Sequence, residues 1–135
     1  MLTVPGLCWL CRMPLTSGHW GICSVCTRAT RHRDSLCPQC GLPAAHTAIP
    51  CGRCLQKPPP WQHLVTVSDY GPPLSGLIHQ LKFSHRSEIA AALSRLLLLE
   101  VLQARRTRSL PLPDRLVSVP LWQRRHWRRG FNQSD

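Results

Sequence analysis

Eight cysteines set the strongest limit on what this chain can fold into, because they fall as four Cys-x-x-Cys pairs: Cys8/Cys11, Cys23/Cys26, Cys37/Cys40 and Cys51/Cys54. The intervals between successive pairs are 11, 10 and 10 residues. Each pair offers two sulfurs from one tight turn, and two pairs about ten residues apart complete a tetrahedral four-thiolate site of the kind zinc takes. The unit is repeated: Cys8-Trp9-Leu10-Cys11-Arg12-Met13-Pro14 parallels Cys37-Pro38-Gln39-Cys40-Gly41-Leu42-Pro43, and each is followed by a second pair at nearly equal distance. Repetition favours sequential pairing. Cys8, Cys11, Cys23 and Cys26 are assigned to one Zn2+, and Cys37, Cys40, Cys51 and Cys54 to a second. An interleaved cross-brace would use the same eight ligands, and four-thiolate iron the same chemistry. His19 and His46 lie between pairs but are superfluous once four thiolates are present. A closed four-thiolate site has no position for water, so it holds structure and leaves chemistry to the rest of the chain.

A disulfide framework would call for export, and no export signal is expected, since Met1 to Cys11 carries no basic residue ahead of the first pair. A thioredoxin-type redox pair would sit beside a βαβ pattern, which these do not. The longest apolar stretch, Ile89 to Leu102, is interrupted by Ser94, Arg95 and Glu100, so no membrane span is expected. The chain reads as cytoplasmic.

With 135 residues it has room for one ordinary domain or two small ones and excludes a complete large enzyme fold. Aromatic residues are 6% of the total and prolines number 13, so core material is scarce and metal is the expected supplement. Three zones follow one another. Residues 1–57 hold every cysteine and form the double zinc ribbon. Residues 58–62, Pro58-Pro59-Pro60-Trp61-Gln62, make a stiff extended linker. In residues 63–135, His63 to Tyr70 reads as a strand ended by Gly71-Pro72-Pro73. Leu74, Leu77, Ile78 and Leu81 share one helical face in a short helix ending near Phe83. Ser87 is the expected cap of a long helix from Glu88 through Arg106, with Arg105 and Arg106 suiting its C-terminal dipole. Arg115 to Val119 reads as a buried strand closed by Pro120. The expected class is therefore a small metal-bound zinc-ribbon module followed by an incomplete α/β domain.

Lys and Arg number 17 against 6 acids, for a formal net charge of +11, and 15 of the 17 are arginine, whose planar fork grips phosphate. Eight thiolates and two Zn2+ would leave the chain strongly basic, so a polyanionic partner is expected. The densest stretch is Gln123-Arg124-Arg125-His126-Trp127-Arg128-Arg129-Gly130-Phe131-Asn132-Gln133. It reads as an Arg-rich loop in which Trp127 and Phe131 offer flat faces for stacking. A solvated basic loop with no ligand is the plainer reading of the same composition.

Leu81-Lys82-Phe83, Val119-Pro120-Leu121, Arg125 and the block Arg129-Gly130-Phe131-Asn132-Gln133 resemble the competence-protein ComF family, and in particular its DNA-utilisation branch, over essentially the whole chain. Members join a zinc ribbon to a type I phosphoribosyltransferase-like domain. The resemblance implies a role in DNA uptake or utilisation, single-stranded DNA as partner, and proteins of DNA uptake or processing as further partners. The basic composition and the resemblance locate any ligand contact in the same place, so nucleic-acid or phosphate contacts are expected at Arg124, Arg125, Trp127, Arg128, Arg129, Phe131 and Asn132. By the same resemblance, Val119-Pro120-Leu121 ends a strand approaching the diphosphate, and Arg125 and Arg129 belong to a mobile loop above it. The paired acids and Thr/Gly-rich loop that hold the diphosphate sugar in such enzymes are not among these residues. The chain is therefore expected to be a truncated member, inactive as a transferase unless the remainder is supplied. A zinc-ribbon adaptor that binds a protein partner is the rival reading.

Overall fold

The computed structural model describes residues 6–31 and 35–135. In chain order these contain a 3-10 turn at Gly18–Trp20 and five helices: α1 Ser24–Thr30, α2 Gly52–Gln56, α3 Leu74–Phe83, α4 Glu88–Arg108 and α5 Gln123–Arg129. Among the described residues, β-structure is limited to two isolated antiparallel bridges, Leu7 to Pro14 and Leu36 to Pro43.

The internal repeat is a repeat of backbone geometry. In the first unit the Cys8 amide donates to the Met13 carbonyl at 2.9 Å, Arg12 to Cys8 at 3.0 Å and Leu15 to Gly6 at 2.8 Å. In the second, Cys37 donates to Leu42 at 2.8 Å, Gly41 to Cys37 at 2.9 Å and Ala44 to Ser35 at 2.9 Å. The turn requires a left-handed residue, supplied by Arg12 (φ 62°) in one unit and Gly41 (φ 69°) in the other. Cys23 and Cys51 then stand at the N-caps of α1 and α2 with the same dihedrals, φ −70° and ψ 162°.

The two helices read from apolar spacing form as expected. Leu74, Leu77 and Leu81 are buried along one face of α3. Helix α4 runs to Arg108, slightly beyond the expected end, and closes on Ser109 in the left-handed region. Ser87 occupies the N-cap position but makes no side-chain capping bond.

The core joins the first cysteine unit to these helices across the proline linker. Cys8, Leu15 and Ile22 form one buried cluster with Leu74, Leu77 and Leu81 of α3 and Ile89, Ala92 and Leu96 of α4. Arg31, just after α1, pairs with Glu100 of α4, and the Arg95 guanidinium lies 4.5 Å from the Trp20 ring centroid. The approach is closest at Gly21, a left-handed glycine (φ 67°) where an added Cβ would stand 2.6 Å from Cβ of Ala92 and 3.1 Å from Cδ1 of Trp9. Neither neighbour can swing away, because Ala92 is buried in a helix and Trp9 packs on the core. Gly21→Ala is therefore expected to destabilise the fold by about 2–4 kcal/mol, from overpacking together with the left-handed penalty. Denaturant unfolding followed by helical circular dichroism measures it, and a change under about 0.5 kcal/mol, the range of ordinary surface substitutions, would show that this contact does not bind the unit to α4.

Two expected strands do not form. Residues 63–66 run along the second cysteine unit instead: the Leu64 amide donates to the Pro38 carbonyl at 2.9 Å, and Leu64 and Thr66 crowd Gly41. Residues 115–119 join no β-ladder, with Leu116 91% and Val117 87% exposed. β-Branched composition favours a pleated, half-buried surface, and without a neighbouring ladder it makes no strand. Among the described residues the structure is thus a helical arrangement with two metal-type knuckle units, in which the two strands expected of the α/β part do not form. A cleft of about 920 Å3 separates the second unit from the C-terminal half of α4.

Candidate metal centres and basic helix

The eight cysteines gather as two sequential sets. The sulfurs of Cys8, Cys11, Cys23 and Cys26 lie within 4.8 Å of one another, as do those of Cys37, Cys40, Cys51 and Cys54. None is in a disulfide. Sγ to Sγ distances are 3.7 Å for Cys11 and Cys23, 3.8 Å for Cys40 and Cys51, and 3.9 Å for Cys37 and Cys54. A tetrahedron with Zn–S arms of about 2.3 Å has edges of about 3.8 Å, so the donor sets fit a four-thiolate metal in both size and chemistry.

Backbone amides support the sulfurs, with Cys23 N–H donating to Sγ of Cys8 at 3.4 Å and Cys51 N–H to Sγ of Cys37 at 3.3 Å. Burial opposes ionisation of Cys8, but amides of Cys11, Cys23 and Leu10 outweigh it and bring the thiol down to about 6. Cys37 falls to about 6 in the same way, against burial, through the amides of Cys51, Cys40 and Gln39. Burial pushes the Cys54 thiol up to about 12, reinforced by its hydrogen bonds to the other three thiols and by the charge of Cys37. Cys26 is driven up by burial and by its three companions likewise. One thiolate per set is thus stabilised while another is repelled. Four thiolates gathered within 4.8 Å of one another repel strongly unless a cation sits among them, which is the electrostatic case for metal at each centre.

The stretch read as an Arg-rich loop is helical. Helix α5 ends on Gly130 (φ 79°), whose amide donates to the His126 carbonyl at 2.7 Å. Arg124, Trp127 and Arg128 lie three and four residues apart, hence on one face, with Arg125 and Arg129 on the adjoining one. Arg124, Arg125 and Arg128 are exposed, and Trp127 is 79% exposed. Trp122, just before the helix, carries the Arg124 guanidinium 5.7 Å from its centroid.

The remaining residues expected at this site are engaged with the protein. Phe131 is half-buried against the core cluster. The Asn132 side-chain amide donates to the Val119 carbonyl at 3.1 Å and to Oδ1 of Asp135 at 2.9 Å. Arg129 bonds the Gln133 side chain and lies 5.6 Å from the Phe83 centroid. The Arg-Gly-Phe-Asn-Gln block therefore caps and anchors α5. Sequence reasoning missed Phe83 and Trp122 as partners of this helix; the aromatic in Leu81-Lys82-Phe83, displaced from the apolar stripe of α3, was the available signal. Among the described residues no helix is long and apolar enough to cross a membrane.

No family model matches the chain, and no solved structure matches it. The chain is 84% identical over its full length to DNA utilization protein YhgH of Escherichia coli strain K12 and 81% identical to the protein of the same name in Salmonella typhi, spanning 60% of the length of each. It is 40% identical over 128 residues to competence protein F of Haemophilus influenzae, a match covering 95% of this chain and 56% of that protein. Similarity of this strength, running through both cysteine units and the basic helix, bears out the resemblance to DNA-utilization proteins and competence protein F, of whose length the chain spans about 60% and 56% respectively.

Proposed function

We propose that the chain serves DNA uptake or utilisation by holding single-stranded DNA on α5, with two structural zinc ions shaping the scaffold. The observation that carries this reading is the helix itself: four arginines and an exposed tryptophan on seven residues containing no acid, fixed at its C-terminal end by Gly130 and Phe131. Arginine forks grip phosphate bidentately, and an exposed indole gives any base a face to stack on. The names of the relatives support DNA as the partner. The expected division of labour is that Arg124, Arg125, Arg128 and Arg129 take the backbone and Trp127 takes a base, while Phe131 and Asn132 hold the helix in place. The division into a ribbon over 1–57, a linker over 58–62 and a phosphoribosyltransferase-like part over 63–135 belongs to the same proposal. Within these residues neither Asp114 nor Asp135 has the adjacent acid and anion cradle needed to orient a ribose, so binding rather than transfer is the proposed role.

Salt dependence tests it. Each phosphate neutralised on a single strand contributes about −0.7 to the log-log slope of affinity against salt, so replacing all four α5 arginines by alanine should lower the magnitude of the slope by about 3. Titration of labelled oligothymidylate at several salt concentrations measures it. An unchanged slope would remove α5 from the function.

A further inference from the structure

Helix α5 is not isolated from the first metal unit, because the turn between α3 and α4 connects them through aromatic and arginine side chains. The Arg86 guanidinium lies 5.7 Å from the Trp9 ring centroid and that of Arg12 lies 6.0 Å from it. Three residues before Arg86, Phe83 is 62% exposed and carries Arg129 of the basic helix over its ring. The strip therefore runs from Arg12 and Trp9 beside the first cysteine pair to Arg86, along the turn to Phe83, and on to Arg129 and the rest of α5.

This strip has three properties of a backbone-tracking surface. First, its arginines sit on an aromatic ring: Arg12 and Arg86 both lie over Trp9, whereas the ion pair between Arg31 and Glu100 lies elsewhere. A guanidinium over a ring keeps its N–H edges open to another acceptor. Second, it is preorganised. Trp9 packs on the core and donates its backbone N–H to the Gly21 carbonyl at 2.8 Å. The turn carrying Arg86 is tied by Ser84 N–H to the Gln80 carbonyl at 2.9 Å and by Ala90 N–H to that of Ser87 at 2.9 Å. Arginines already held on rings lose less freedom on meeting phosphate than free ones would. Third, Phe83, 62% exposed with Arg129 over its ring and the His79 ring 4.7 Å away, puts an aromatic group between the two sets of arginines, the alternation that sequence-tolerant single-strand binders use.

We infer that the single-strand path extends from α5 over Phe83 to Arg86 and Arg12, so that the first metal unit contacts the DNA backbone directly. The inference rests on the proposed binding at α5 and extends it to a surface on three separate parts of the chain. It also gives the first zinc unit a role beside folding, since the unit fixes Arg12 and Trp9 at the far end of the path.

The experiment measures salt slopes with labelled oligothymidylate for the 135-residue protein and its variants, each first checked for zinc content and helical signal. R12A/R86A should lower the magnitude of the slope by about 1.4, two single-strand phosphate contacts, whereas R53A/R106A, which removes equal charge from other elements, should leave it unchanged. R12K/R86K should retain the wild-type slope, because lysine keeps the phosphate contact; a merely structural arginine–tryptophan stack would not be rescued in this way. F83A should weaken binding about fivefold or more at constant slope, as loss of one stacked base does, with F83W restoring it. If wild type binds and the α5 variant loses slope while R12A/R86A keeps it, the extended path is wrong and α5 alone holds DNA. If wild type shows no salt-dependent binding, the reading of α5 falls first and takes the extension with it.

Discussion

Freshly purified, reduced protein should carry two zinc equivalents, and a strong chelator should remove both and unfold the two knuckle units. Metal binding in small four-ligand units is coupled to folding and contributes on the order of 10–16 kcal/mol at neutral pH. The two sets are separate, so Cys40→Ser should lose one ion and leave the other, while Cys11→Ser should do the converse. Loss of both ions from either variant would mean that the ligands are shared. The consequences should differ in extent: Cys8 lies in the same buried cluster as Ile89 and Leu96, so losing the first ion should loosen α3 and α4 as well. Losing the second should spare them, since a cleft intervenes. Acidification should release zinc in both cases, because each ligand must be a thiolate, and burial and neighbouring sulfurs already push Cys26 and Cys54 toward the protonated form. Stability supplied by metal is thus present at neutral pH and lost as pH falls. Colorimetric zinc release against pH, recorded beside the helical signal, follows both changes. Fewer than two equivalents in reduced protein would count against the assignment.

What could be read from sequence follows the range over which each signal acts. A Cys-x-x-Cys turn is local, so its spacing and repetition announced the two thiol sets, and the matching hydrogen bonds around Cys8 and Cys37 are the same motif in atoms. Helices α3 and α4 carry their own apolar periodicity, and the buried positions Leu74, Leu77, Leu81, Ile89 and Leu96 follow it. Helix α5 has no apolar stripe and buries none of its own residues; what ends it is Gly130, and what attaches it is Phe131, neither of which announces a helix. In the sequence the same glycine reads equally well as part of a loop. Residues 115–119 show the opposite error, since Val117 and Val119 suit a strand only when a partner ladder is beside them. Least legible was the docking of the first unit on α4, a contact between positions about seventy residues apart. Its only trace was a glycine at position 21 and the small side chains of Ala90, Ala91 and Ala92, which permit close approach without announcing it.

That docking makes a core leucine part of the metal chemistry. Leu96 is 2% exposed and belongs to the cluster that contains Cys8 and Ile22, while its ring of neighbours includes α3 through Leu74 and Leu77. Leu96→Ala removes a buried methine and two methyl groups and leaves a cavity in a site where two helices and a knuckle meet, at an expected cost of about 2–5 kcal/mol. Because the first unit rests on this surface, part of the cost should appear as weaker zinc retention there and none of it in the second unit. The two centres can be read separately by placing Leu96→Ala in the Cys40→Ser background, which reports the first, and in the Cys11→Ser background, which reports the second. Chelator competition should shift to lower chelator concentration only in the former. Leu98→Ala, two positions along the same helix but 56% exposed, controls for loss of apolar surface alone and should move neither. If Leu96→Ala destabilises the helices yet leaves the first site's chelator midpoint unchanged, the knuckle folds independently of the core it touches. A shift confined to the first site would instead make the zinc unit and the α3–α4 pair one cooperative body, which is what a nucleic-acid path running from Arg12 to α5 requires of its scaffold.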